Sequence, residues 1–255
     1  MSIARSDDVR IRSAVLHRAW MAGFVLAGAA ALGGLSAAAT PATASAACVA
    51  TKIGTISGGG GATCTANGRS VAIAVGPGAS ATASGKGNAA IAIGGSTTAT
   101  ATGNRNLAFV FGSETGAQAG GTEEGAGNQN IAAAIGTHGG AIAGNGNRNI
   151  ATSFGNNSGA LAQSGNGNRA SSIGTGAGAV AEVGNHNRSL AIGRNSGSVT
   201  QSGDRNKAFT FGTGSASSAK VGNRNSASTI GNSSSAAATG TGSRVSVIGN
   251  NKHKP

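Results

Sequence analysis

The sequence predicts an all-β fold, a single-chain β-solenoid of about ten coils with a period near 19 residues. Three observations predict it: a ten-residue segment recurs at nearly constant spacing, its apolar residues fall at fixed positions, and the chain is rich in glycine. One coil cannot bury its inner face alone, but stacked coils form a continuous core. Disordered chains combine dense charge with little apolar content, whereas here 38% of the residues are hydrophobic and 10% are charged.

Residues 1–46 predict a signal peptide. Four arginines precede the apolar run Met21–Leu35, and small residues follow in ATASAA, which suits cleavage near Ala46 or Ala47. The run is short for a bilayer span, so we expect no transmembrane segment in the mature chain. A retained anchor and lipidation of Cys48 are the alternatives. The expected location is secreted, that is, extracellular or at the cell surface.

Residues 47–66 predict an N-terminal cap pinned by a disulfide. Cys48 and Cys64 are the two cysteines of the chain, and in an exported protein such a pair forms a bridge. Neither thiol has a histidine or an aspartate close by in sequence, which argues against a metal site.

Residues 67–249 contain the repeats, numbered here as coils 1 to 10 in chain order, and residues 250–255 form a basic C-terminal tail. Within each coil, positions are counted from the first residue of the ten-residue segment, as in GNRNLAFVFG of coil 3. The ten segments begin at Asn67, Gly85, Gly103, Gly127, Gly146, Gly165, Gly184, Gly203, Gly222 and Gly240. Further along each coil an A-x-A pair recurs, which predicts a second short strand.

Position 4 predicts a structural asparagine ladder. Position 5 carries cations in several coils, and it is expected to face outward because burying them in an alanine-lined interior would be costly. Side chains alternate along a strand, so positions 4 and 6 are then expected to face inward. Identical amides one coil apart are expected to bond to one another up the stack. Ser70 and Ser243 occupy position 4 in the two end coils, and the asparagines are Asn88, Asn106, Asn130, Asn149, Asn168, Asn187, Asn206 and Asn225.

Position 9 is apolar in every coil and is also expected to face the core. Its parity is opposite to that of positions 4 and 6, so we expect a bend or bulge near position 7 or 8 to reset the alternation. Phe111 of coil 3 would then fill the interior, and Gly112 at position 10 would turn the corner.

Position 3 predicts an exposed basic stripe that binds polyanions. After the leader the chain has six Lys, nine Arg and five acidic residues, which gives a net charge of about +10. The alternative is that these cations only discourage association of strand edges. The stripe contains Arg69, Arg105, Arg148, Arg205 and Arg224, with His186 in line.

The segments GNRNLA, GNQNIA, GNRNIA and GDRNKA resemble the G-x-x-N-x-A motif of curlin repeats, the units of curli fibres. AIAIGGSTTATA and NSASTIGNSSSAAA are similar to head repeats of trimeric autotransporter adhesins, and the composition and leader resemble an uncharacterised secreted family of actinobacterial (mycobacterial) type. Curlin has glutamines where this chain carries Ile/Phe-Gly. These resemblances imply a secreted β-solenoid that acts in matrix or adhesion.

The sequence argues against an enzyme, a metal site and a cofactor, because the mature chain has one aspartate, four glutamates and three widely spaced histidines. Nucleic acid is a poor partner, since Trp20 leaves with the leader and the chain has no tyrosine to stack on bases. The leading hypothesis is a non-catalytic secreted or cell-surface structural or adhesive protein. The alternatives are a binding module for anionic envelope polysaccharide or surface components, and a self-associating, fibre-forming protein of curli type.

Overall fold

The computed structural model describes residues 47–57, 60–121 and 127–255. The predicted all-β solenoid is confirmed, because the described chain consists of strands that stack in parallel in about ten coils. The predicted leader lies outside the described residues.

Each coil contributes one strand to each of two faces, called sheet A and sheet B. The two longest strands, β3 (Thr63–Val75) and β4 (Ser80–Gly95), pass through both faces. Sheet A continues through β6 (Leu107–Ser113), β8 (Ile131–Thr137), β10 (Ile150–Asn156), β12 (Arg169–Ile173), β14 (Arg188–Ile192), β16 (Lys207–Phe211), β18 (Ser226–Ile230) and β20 (Arg244–Ile248). Sheet B continues through β5 (Thr98–Asn104), β7 (Gly116–Ala119), β9 (Gly140–Ala143), β11 (Gly159–Ala162), β13 (Gly178–Ala181), β15 (Gly197–Gln201), β17 (Ala216–Lys220), β19 (Ser235–Thr239) and β21 (His253–Lys254).

Neighbouring coils pair in register, so that equal positions stack on one another. Strand β10 pairs with β8 from Ile150 opposite Ile131 to Asn156 opposite Thr137. In a parallel ladder of matched repeats, residues at the same position of successive coils lie directly above one another. Residues that recur at one position therefore form a row along the stack.

The interior is lined by small side chains. Positions 4, 6 and 8 point inward in sheet A, as Asn130, Ala132 and Ala134 show, and the A-x-A pairs point inward in sheet B. The core is therefore thin, and its stability depends on close packing and backbone ladders rather than on large apolar groups.

The expectation that position 9 faces the core is wrong. Phe111 is 53% exposed and Phe211 is 50% exposed, and the other members of this position lie on the same outer surface of sheet A. Alternation continues without a break, and the ladder between β6 and β8 runs unshifted from Leu107 to Ser113. A core filled by alanine on both sides leaves no room for a phenyl ring.

An antiparallel hairpin covers the first coil. Its strands are β1 (Ala47–Thr51), which pairs with the sheet A half of β3, and β2 (Gly54–Ser57), which pairs with β1. The predicted disulfide is confirmed: Cys48 and Cys64 are bridged, with their Cα atoms 5.9 Å apart. The bridge ties β1 to the sheet B half of β3.

A second inward polar position, position 13, lies at the corner before sheet B and was not anticipated from the sequence. In five of the described coils Ser or Thr at this position donates a hydrogen bond to the position 10 glycine carbonyl of the next coil, as from Thr115 to Gly136 at 3.1 Å and from Ser234 to Gly249 at 2.7 Å. Thr97 instead donates to Gly94 of its own coil. The signal was present, since Ser or Thr recurs three residues after that glycine in most coils.

Candidate anion-binding groove

The position 4 asparagines hold the corner on which the candidate site is built. All eight are buried. The side-chain oxygen of Asn149 accepts from the backbone amide of Asn168 at 2.9 Å, and Nδ2 of Asn149 donates to the carbonyls of Gly165 and Gly144 at 2.9 and 3.0 Å. The predicted amide-to-amide bonds are thus replaced by side-chain-to-backbone bonds, because buried backbone groups at the corner need partners of their own.

An amide ladder of the predicted kind lies instead at position 2, which is largely solvent-accessible. There Nδ2 of each asparagine donates to the side-chain oxygen one coil on, at 2.9 Å from Asn104 to Asn128 and 2.8 Å from Asn128 to Asn147. The ladder continues through Asn166 and Asn185 to Asp204, whose carboxylate accepts from Asn185 at 3.1 Å. A carboxylate has no proton to donate onward, so Asp204 ends the side-chain ladder.

Position 3 lies between these two rows and points into solvent. Arg105, Arg148, Arg205 and Arg224 are exposed and have φ values of 57°, 60°, 61° and 62°. Glycine, which adopts this conformation freely, occupies the same position in coils 2, 6 and 10. A non-glycine residue there costs about 1–3 kcal/mol. Other residue types, such as Gln129 at the same position and Val183 at another, adopt the same conformation, so it belongs to the corners of the solenoid.

Arg69 does not belong to this row, which corrects the predicted stripe. Its backbone pairs with Lys86, and Lys86 pairs with Asn104, so Arg69 stands in register with position 2. Coil 1 has one residue fewer at this corner, and the ladder shifts between Arg69 and Val71 to compensate.

A groove brings the position 3 cations of the later coils together with those of position 5. Successive pairs Arg169–Arg188 and Arg188–Lys207 are direct neighbours in the parallel ladder. Arg69 and Arg105 lie outside this groove, whose lining is Arg148, Gly167, Arg169, His186, Arg188, Arg205, Lys207, Arg224, Asn225, Ser226 and Arg244.

Every coil from 5 to 10 supplies at least one Lys or Arg to the groove. A coil that lacks a cation at position 3 has one at position 5, and a coil that lacks one at position 5 has one at position 3. Coil 6 has Gly167 at position 3 but Arg169 at position 5, and coil 9 has Ser226 at position 5 but Arg224 at position 3. Strands in a sheet are about 4.8 Å apart, so the positive charges repeat at about that interval over six coils.

The groove cations have no carboxylate partners in the part of the chain that the structure describes. The contact between a basic and an acidic side chain that is found there joins His138 to Glu114 at another corner, and Arg148 bonds to the neutral Gln129 at 3.0 Å. Asp204 stands nearby but accepts from Asn185. Seven cations of like sign along one groove attract anions from solution.

The three histidines of the described chain lie in different surroundings. His138 contacts Glu114, His186 lines the groove, and Nδ1 of His253 bonds to Ser235 at 2.8 Å. Among residues 47–57, 60–121 and 127–255, no three His, Cys, Asp or Glu side chains cluster as metal ligands would. No helix in those ranges has the length and apolarity to cross a bilayer.

No protein-family model, curated protein or solved structure matches the chain, so the resemblance to curlin and adhesin repeats depends on the short motifs alone.

Proposed function

We propose that the protein is a non-catalytic, exported structural or adhesive rod that binds linear anionic polymers of the cell envelope along the groove of coils 5–10. The β-solenoid fold is compatible with a structural repeat protein. The observation that carries the proposal is the row of cations at coil spacing, without carboxylate partners in the described residues.

The number of cations favours a polymer over a small anion. An exposed ion pair contributes about 0.2–1 kcal/mol, so one or two such contacts would not retain a ligand in salt solution. Seven contacts along one polymer chain contribute about 1–7 kcal/mol together. The entropy of association is lost only once for all seven contacts, because they belong to one ligand. A chain of uronic acid, sulfated or phosphorylated sugar units fits this requirement.

The lining of the groove argues against nucleic acid as the main ligand. Proteins that bind single strands interleave cations with aromatic rings on which the bases stack. The phenylalanines of the described chain do not line the groove, whose one ring is the imidazole of His186. A polymer recognised by charge spacing needs no such platform.

The test compares two triple variants with the same change in net charge. In the groove variant Arg188, Arg205 and Lys207 are changed to glutamine, and in the control variant Lys52, Arg69 and Arg194, which lie elsewhere, are changed to glutamine. Calorimetry with polygalacturonate, and with neutral dextran of equal length, measures the affinity. Three lost ion pairs are expected to weaken polygalacturonate binding by about tenfold in the groove variant, and the control is expected to change by less than about threefold.

Two outcomes would overturn the proposal. One is equal loss of affinity in both variants, because net charge rather than the groove would then hold the polymer. The other is tighter binding of single-stranded DNA than of polygalacturonate at equal charge and salt, which would favour a nucleic-acid function.

A further inference from the structure

The outer surface of sheet A is apolar in coils 1 to 5, and in coils 6 to 10 it keeps an apolar row at one position. Positions 5, 7 and 9 of coils 1 to 5 carry Val, Ile, Leu, Phe or Ala, with the single exception of Thr152. In coils 6 to 10 position 5 is Arg, Lys or Ser, and position 7 carries Ser171, Leu190, Phe209, Ser228 and Ser246. Position 9 continues the apolar row with Ile173, Ile192, Phe211, Ile230 and Ile248. This surface is named the A face.

The aromatic side chains of the described residues are all phenylalanines, and all five lie on the A face. They are Phe109, Phe111, Phe154, Phe209 and Phe211, while the buried core holds small residues. Nine of the thirteen strongly exposed large hydrophobic residues also belong to this face. Contiguous exposed apolar surface of this extent marks an interaction site, and aromatic residues are enriched in such sites.

We infer that the A face is the interface between two copies of this chain, packed sheet against sheet. The area fits a stable pair: ten strands about 4.8 Å apart, each about five residues of about 3.3 Å long, give roughly 50 Å by 17 Å, or about 800 Å². Stable complexes bury about 800 Å² on each partner. Sheets pack face to face through alternating side chains of this kind.

The charges on the face allow a two-fold pairing. If the two solenoids run parallel, position 5 of one copy faces position 9 of its partner, so Lys207 meets Phe211 and Arg188 meets Ile192. If they run antiparallel, the cationic position 5 of coils 6–10 faces the apolar position 5 of coils 5–1. Neither arrangement places one position 5 cation opposite another, and the long stems of Arg and Lys can cover the apolar partner surface.

Position 3 lies at the corner outside the A face, whereas the position 5 cations Arg169, Arg188, Lys207 and Arg244 belong both to this face and to the groove. The pairing therefore covers part of the groove, and the inference is tested in the absence of polymer. Its test uses protein purified after expression of the full chain, with the disulfide intact, in sedimentation equilibrium. We expect a mass twice that of the monomer at micromolar concentration. The double variant Phe111→Glu and Phe154→Glu is expected to raise the dissociation constant by about 100-fold, because the new charges face apolar residues of the partner in either arrangement.

A matched control introduces the same charges at equally exposed apolar residues away from the A face. Val183 and Val221 are 55% and 65% exposed, so Val183→Glu with Val221→Glu is expected to leave the dissociation constant within about threefold. A native protein that stays monomeric at 100-fold higher concentration overturns the inference. So does an equal effect of the two variants, or a monomer that sediments with phosphatidylcholine vesicles, since a lipid surface would then be the partner.

Discussion

The side-chain oxygen of Asn149 accepts a hydrogen bond from the backbone amide of Asn168, 2.9 Å away and one coil further along the stack. The same contact recurs between successive position 4 asparagines, from Asn88–Asn106 to Asn206–Asn225. The side-chain nitrogen of each asparagine also donates to a backbone carbonyl of the next coil, so these side chains link successive coils.

Replacing Asn149 by alanine leaves a buried amide, a buried carbonyl and a partly buried carbonyl without their partner. Each such group costs about 1–3 kcal/mol, so Asn149→Ala is expected to destabilise the fold by at least about 3 kcal/mol. Urea denaturation followed by circular dichroism measures the shift.

The matched control is Asn147→Ala, which removes an exposed amide of the position 2 ladder. Water replaces its partners, so a loss below about 1 kcal/mol is expected. Equal losses for the two variants would contradict the role assigned to the buried row.

Gly155, at position 10 of coil 5, has no room for a side chain. A Cβ there would lie 2.0 Å from the carbonyl oxygen of Gly174, and its φ is 120°. Gly155→Ala is therefore expected to cost about 3 kcal/mol or more, or to prevent folding. Thermal melting and soluble yield check this outcome.

Gly159 lies four residues further on, in β11, and a Cβ there would meet no atom within 4 Å. Gly159→Ala is expected to leave stability unchanged or to raise it by about 0.5 kcal/mol, because alanine restricts the unfolded chain. If Gly159→Ala had a melting temperature as low as that of Gly155→Ala, the loss of stability would result from replacing glycine as such and not from steric overlap.

The disulfide fixes the hairpin to the first coil. Cys48 and Cys64 enclose a short loop, for which the loss of a bridge costs about 3 kcal/mol. Cys48→Ser with Cys64→Ser is expected to accelerate hydrogen exchange in β1 and the start of β3, and to leave coils 5–10 protected, because each coil contacts only its neighbours. Uniform loss of protection along the stack would contradict this local effect.

The groove predicts a length dependence for its ligand. Anionic oligomers are expected to bind more tightly as they lengthen until they span coils 5 to 10, about 24 Å at 4.8 Å per coil, and to gain little beyond that. Calorimetry with size-fractionated oligogalacturonates at low salt measures this, and the affinity should fall as salt screens the charges. An affinity that does not change with length would contradict binding along the groove.

The leader predicts that the exported chain begins at or next to Ala47. Cell fractionation and N-terminal sequencing of the recovered protein check this. A full-length chain confined to the cytoplasm would refute both the cleavage site and the proposed location.

The repeat pattern alone determined the number of coils, their period, the inward direction of positions 4 and 6, and the outward direction of position 5. It could do so because matched repeats in a parallel stack superpose equal positions, and burial of a cation such as Arg169 or Arg188 is too costly to permit the opposite phase. The pairing of the two cysteines followed from their being the only two in the chain.

The tertiary structure alone decided which groups meet across and between coils. Phe111 faces outward because the opposing alanines set the thickness of the core, a property of the two sheets together and not of one strand. The position 4 asparagines bond to backbone groups because the corner places a carbonyl, such as that of Gly165, and an amide, such as that of Asn168, within hydrogen-bond distance of the side chain. The groove formed because the corner brings positions 3 and 5 of successive coils to one surface, and Arg69 was excluded by the single residue missing from its coil.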